Sequence, residues 1–261
     1  MIPDLHVVDS GAGAPAVLLH SSGMSGRQWK RLASQLVESG LRAMVPDLSG
    51  HGKSAEWPEE KPFSFQLDVE RVAALLDSLG EPAHVVGHSY GGFIALQAAI
   101  AVPSRVRSLA LFDPVAFGTL DGAADADARR ELRGVELSWD ASPRGRERWL
   151  EMFVDYWGGP GAWAGLREDI RAEFRRVAWV VFEGVRTLAA DDTPASAYAA
   201  LRVPALLLTG EHSPPAARAV IRRLRESLAG ARVETVPGAG HMAPLTHTDA
   251  VNELIVRSLT S

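Results

Sequence analysis

Ala83-His84-Val85-Val86-Gly87-His88-Ser89-Tyr90-Gly91-Gly92-Phe93-Ile94-Ala95-Leu96 is the stretch on which the reading of this 261-residue chain turns. Ala83 to Val86 form a short apolar run with β-branched valines, the pattern of a buried strand. From Phe93 to Val102 the chain is apolar nearly all round and then meets Pro103, as expected for a helix packed deep against a sheet. Between them Gly87-His88-Ser89-Tyr90-Gly91 has the spacing of a nucleophile elbow. Such a turn forces its serine into a strained backbone conformation, and side chains at positions 87 and 91 would collide with neighbouring backbone. Ser89 Oγ would then stand above the sheet at a helix N-terminus, where backbone N–H groups and the helix dipole favour negative charge. A Gly-x-Ser-x-Gly match also arises by chance, so the strand before it and the helix after it carry the weight.

Working outward, the same design recurs. Pro15 to His20, Arg42 to Leu48, Val106 to Phe112, Val203 to Thr209 and Val233 to Val236 read as strands. Between the first two, Trp29, Leu32, Leu36 and Val37 recur at helical spacing and Gly40 supplies a stop. Val69, Val72, Leu75, Leu76 and Leu79 share one helical face closed by Gly80, and helices are also expected over Ala216 to Leu228 and Thr248 to Leu259. This alternation implies an α/β fold with a mostly parallel sheet and helices on both faces.

Residues 115–199 break the alternation. The segment is charged, reads as helical, and holds five of the seven tryptophans. It is expected to be a helical cap inserted into a core of residues 1–114 and 200–261. Ligands of open α/β sheets bind outside the carboxyl ends of the strands, so such an insertion would lie over the site. Trp139, Phe153, Trp157, Trp163 and Trp179 are therefore candidate pocket walls. The competing reading for each ring is the core of the cap itself.

Composition narrows the function classes. An apolar fraction of 46% and a charged fraction of 23% are ordinary for a folded globular chain. A net charge of −5 gives no basic field for a polyanion, so nucleic acid is not expected as a partner. Cysteine is absent, which leaves no disulfide framework and no thiolate nucleophile, and the eight histidines form no short-spaced ligand cluster. No metal and no cofactor is implied, since neither a P-loop nor a dinucleotide-binding glycine signature occurs. Met1-Ile2-Pro3-Asp4-Leu5-His6 is neither basic nor apolar, and no run approaches the roughly 20 residues of a spanning helix. The expectation is a cytoplasmic protein without a membrane partner; oligomeric state is not readable.

Three further segments, together with the elbow, resemble the α/β-hydrolase family over nearly the whole chain outside the cap. His20-Ser21-Ser22-Gly23 follows a strand where the family usually has His-Gly-X; Asp47-Leu48-Ser49-Gly50-His51-Gly52-Lys53-Ser54 looks like its Asp-X-X-Gly-X-Gly-X-Ser turn; Gly238-Ala239-Gly240-His241 looks like its histidine loop. The resemblance implies an eight-stranded sheet, Ser89 as nucleophile and His241 as its general base. It also implies an oxyanion hole from the backbone N–H of Tyr90 and that of Ser22, although Ser21 replaces the usual glycine.

The acid departs from the commonest pattern. Ser213 stands where the family usually has an aspartate, in Gly210-Glu211-His212-Ser213-Pro214. Asp113, in Leu111-Phe112-Asp113-Pro114, ends the strand after the nucleophile helix, where some members carry their acid; Glu211 is the alternative. The plain readings are a turn cap for Asp113 and a solvated loop acid for Glu211. The implied activity is hydrolysis of a carboxylic ester or related acyl compound through an acyl-serine intermediate, on a small substrate with an apolar or aromatic part. Carbon–carbon hydrolysis of a diketone-type substrate uses the same residues, and a ligand-binding protein without turnover is the reading from another class.

Overall fold

The computed structural model describes residues 5–59, 61–132 and 138–260. In chain order its elements are β1 (Val7–Ser10), β2 (Pro15–Leu19), α1 (Lys30–Glu38), β3 (Arg42–Pro46), α2 (Phe65–Ser78), β4 (Ala83–His88), α3 (Tyr90–Ala101) and β5 (Val106–Phe112). After β5 come α4 (Ala126–Leu132), α5 (Pro143–Gly158), α6 (Ala162–Gly165), α7 (Glu168–Ala189) and α8 (Ala195–Tyr198). The alternation resumes with β6 (Ala205–Gly210), α9 (Pro215–Ser227), β7 (Arg232–Val236), α10 (Ala243–Thr246) and α11 (Thr248–Thr260).

The strands lie in the order β1-β3-β2-β4-β5-β6-β7, all parallel except β1, which runs antiparallel to β3 at one edge. That is seven strands among the described residues, where the family resemblance implied eight. The six segments that read as strands are all present. Val7–Ser10 escaped notice because it is a short, largely exposed edge with no apolar run, held by backbone pairing to β3. No eighth strand occurs among the described residues.

Successive side chains of a strand point to opposite faces, and β5 shows the consequence. Leu109 and Leu111 join the core under α2, α3 and α9, whereas Ala110 and Phe112 join the core under α1 and α11. Burying a Leu or Phe contributes about 1.5–3 kcal/mol, and a one-residue slip would exchange the two sets, so the register is strongly specified. That fixed register sets the height of the strand ends, from which Ser89 and Asp113 project. α3 is buried at Phe93, Ile94, Ala95, Leu96, Ala98 and Ala99, as its all-round apolarity requires.

The helices between β5 and β6 carry a separate aromatic core, in which Trp149, Leu150, Phe174 and Phe182 are buried between α5 and α7. The cap expected over 115–199 includes residues 133–137, which lie outside the described residues.

Candidate active site

Ser89 has φ 54° and ψ −117°, between the last residue of β4 and the first of α3. Its amide donates to the carbonyl of Phe112 at 2.9 Å, and its own carbonyl accepts from the Phe93 amide at 3.0 Å. A Cβ on Gly87 would lie 2.5 Å from the Gly91 carbonyl oxygen, and one on Gly91 would lie 2.4 Å from that of Leu19. Both glycines are therefore steric necessities of the elbow. Asp113 has φ 41°, and it and Ser89 are the only non-glycine residues at positive φ among the described residues. Such strain costs of order 1–3 kcal/mol per residue and clusters at functional sites.

Asp113 is reached by the turn after β5, where its amide donates to the Leu208 carbonyl of β6 at 2.9 Å. Its Oδ2 lies 3.1 Å from Nδ1 of His241, with both side chains buried. Ser213 Oγ donates to the same Oδ2 at 2.5 Å and accepts the Gly210 amide at 3.0 Å. The hydroxyl at the family's usual acid position thus fastens the carboxylate at the tip of the neighbouring strand. Glu211 is exposed, and its Oε2 accepts the Gly238 amide at 2.7 Å; it steadies the turn before His241 and does not contact the ring.

The His241 ring lies against Trp157, with centroids 4.1 Å apart, and against His88 at 5.0 Å. No hydrogen bond joins Ser89 Oγ to the ring among the described residues, but both side chains line one cavity. Tyr90 opens α3, so its amide stands at a helix N-terminus, and Ser22 follows β2; both border a second cavity with Ser89.

Beneath these loops runs a chain of hydrogen bonds that sequence reasoning missed. Ser21 donates to Gln28 Oε1 from its amide at 3.1 Å and from its hydroxyl at 3.0 Å. Gln28 Nε2 donates to His88 Nδ1 at 3.2 Å, and His88 Nε2 donates to the carbonyl of His241 at 2.9 Å. One partly buried relay therefore ties the loop of Ser22, the elbow and the histidine loop. Burial drives the His88 ring well below its usual range, which keeps one nitrogen free to accept. His20 accepts from the Leu48 amide at 2.9 Å and donates to the Ser21 carbonyl at 2.8 Å. His51 accepts from the Gly23 amide at 3.1 Å and donates to the Ser49 carbonyl at 2.9 Å; burial pushes its ring down to about 4. Tyr90 Oη donates to the buried Asp68 at 2.9 Å, anchoring the side chain next to the elbow.

The larger cavity has a volume of about 520 Å³ and the smaller about 330 Å³, and both are walled by Ser22, Ser89, Phe153 and Trp157. The expectation that Trp139, Trp163 and Trp179 line a pocket needs correction: they border neither cavity. Trp139 packs on Trp149 and Phe182; Trp163 is buried against Phe174 and donates to Glu147; Trp179 stacks on Phe182 and donates to the Lys61 carbonyl. They complete the core between the helices, which is what large aromatics on amphipathic helices most often do. Met152 and Tyr156 of the larger cavity were missed, although they sit beside Phe153 and Trp157 at i, i+4 spacing on α5. Among the described residues no group of three or more His, Asp or Glu could hold a metal ion, and no helix is long and apolar enough to cross a membrane.

A family model described as "Alpha/beta hydrolase family" matches residues 16–254, and the chain belongs to that family. Lipase LipV of Mycobacterium tuberculosis is 44% identical over 126 residues, 47% of this chain and 46% of that one. A 2-hydroxymuconate semialdehyde hydrolase of a Pseudomonas species is 40% identical over 106 residues, 40% of this chain and 37% of that one. The chain thus spans less than half the length of these curated relatives. A pimeloyl-[acyl-carrier protein] methyl ester esterase of Chromobacterium violaceum is 32% identical over 252 residues, covering 94% of this chain and 93% of its own. Among solved structures, the enol-lactonase of Burkholderia xenovorans superposes with a TM-score of 0.75 at 24% identity, covering 98% of this chain and 96% of that one, which shows the fold.

Proposed function

We propose that this protein is a serine hydrolase that cleaves a carboxylic ester or related acyl compound through an acyl-Ser89 intermediate, with residues 115–199 as its cap. The observation that carries the reading is the meeting of three distant loops: Ser89 in a strained elbow, and His241 on the same cavity wall with Asp113 behind its ring at 3.1 Å. Because Nδ1 faces the carboxylate, Nε2 is the nitrogen left for the substrate side. It takes the proton of Ser89 Oγ as that oxygen attacks the carbonyl carbon, and passes it to the departing oxygen. Asp113 stabilises the imidazolium in between. The developing oxyanion accepts from the amides of Tyr90 and Ser22. Water, deprotonated by His241, then releases the acid. The missing contact between Ser89 Oγ and the ring is of the kind that tightens only with substrate bound.

The lining of both cavities is mostly apolar, which suits a small substrate with an apolar or aromatic part. A fluorophosphonate should add one adduct by intact mass, mapping to Ser89 and absent from Ser89→Ala; no adduct on folded protein would support the reading without turnover. Carbon–carbon hydrolysis is the second reading, favoured by the similarity to 2-hydroxymuconate semialdehyde hydrolase, and is distinguished by turnover of a vinylogous diketone in place of an ester.

A further inference from the structure

Ser89 stands at the waist of two cavities, and the groups around it are not shared evenly. Phe153 and Trp157, four residues apart on α5, wall both spaces. His241 and Met242 line only the smaller one, together with Ala162 and Leu245. Tyr90 lines only the larger one, together with Val185 and Leu188 of α7 and the charged Arg129, Asp191 and Asp192; its lining is mostly apolar by area. Trp157 lies against the imidazole with centroids 4.1 Å apart, and the imidazole borders the smaller space and not the larger.

From this asymmetry we infer the orientation and class of the substrate: an ester with an extended apolar acyl group in the larger cavity and a compact apolar alcohol in the smaller one. The inference rests on the acyl-Ser89 reading. In the acylation step a bond forms between Ser89 Oγ and the carbonyl carbon, and the bond from that carbon to the alkoxy oxygen breaks. The proton from Ser89 reaches the alkoxy oxygen through His241, so the alcohol must leave on the imidazole side. The acyl group stays on Ser89, and the space beside Tyr90 is what remains for its chain. The volumes of about 520 and 330 Å³ then set the larger half of the substrate on the acyl side. Pocket fit of this kind discriminates through kcat/KM, because each methylene that loses its place loses contact in the transition state.

The test compares two isomers of equal composition, ethyl octanoate and octyl acetate, on the purified chain alongside fluorophosphonate labelling. Ethyl octanoate is expected to have the higher kcat/KM by about tenfold or more. Val185→Phe, which narrows only the larger cavity, should lower that ratio, and Ala162→Phe, which narrows only the smaller one, should raise it. If Ser89 labels but the ratio is at or below one, or neither isomer turns over, the orientation is overturned while the nucleophile stands. The orientation also fails if the two variants move the ratio in the same direction or in reversed directions. Absence of labelling would instead remove the reading on which the inference rests.

Discussion

Asp113 Oδ2 accepts from two side chains, the ring of His241 at 3.1 Å and the hydroxyl of Ser213 at 2.5 Å. A hydroxyl cannot replace a charge, but it can aim one, and that is the part left to Ser213 once the carboxylate comes from the adjacent strand. Asp113→Asn should lower kcat/KM on a p-nitrophenyl ester by on the order of 10³–10⁴, since the amide favours the wrong ring tautomer. Glu211→Gln should stay within about threefold, because its carboxylate serves the Gly238 amide. Steady-state kinetics of the pair decide it, and a near-normal Asp113→Asn would move the acid elsewhere. The place of Asp113 at the end of a strand beside β6 was legible in sequence. The role of Ser213 was not, because a serine at an acid's usual place reads in sequence only as a loss.

The loops after β2 and β3 are stitched by histidines that work as neutral rings. His51 holds the Gly23 amide, His20 holds the Leu48 amide, and their rings lie 5.2 Å apart. Burial depresses both, His51 to about 4 from an ordinary 6.5. Between pH 6.5 and about 4 the unfolded chain therefore binds protons that the folded chain does not, and stability falls as pH falls through that window. The contribution is fully present above pH 6.5 and is on the order of 3 kcal/mol for His51. Urea unfolding at pH 7, 5.5 and 4.5 should show a shallower loss for His51→Gln, which keeps an acceptor and cannot titrate. Equal slopes for variant and wild type would contradict this role. The relay from Ser21 through Gln28 and His88 to His241 was invisible in sequence for a related reason: its members are 7, 60 and 153 residues apart, and only the folded sheet brings them together.

On the scale of the whole molecule, the parallel α/β architecture was legible because each strand between β2 and β6 is a short apolar run and the helices between them show one apolar face or, in α3, apolarity all round. The antiparallel edge β1 was not, since half-exposed edges carry little pattern. The aromatic cavity walls were legible only in part, because helical spacing tells which residues share a face and not which neighbour that face meets. Phe153 and Trp157 turn toward Ser89, whereas Trp139, Trp163 and Trp179 pack into or against the aromatic core of α5 and α7. Under the proposed function all of these elements act through one outcome, that the imidazole of His241 activates the oxygen of Ser89. The rate at which a fluorophosphonate modifies Ser89 in His241→Ala, set against wild type, measures that outcome most directly. A fall of about 10²–10⁴ with unchanged circular dichroism is expected; modification at the wild-type rate would contradict it.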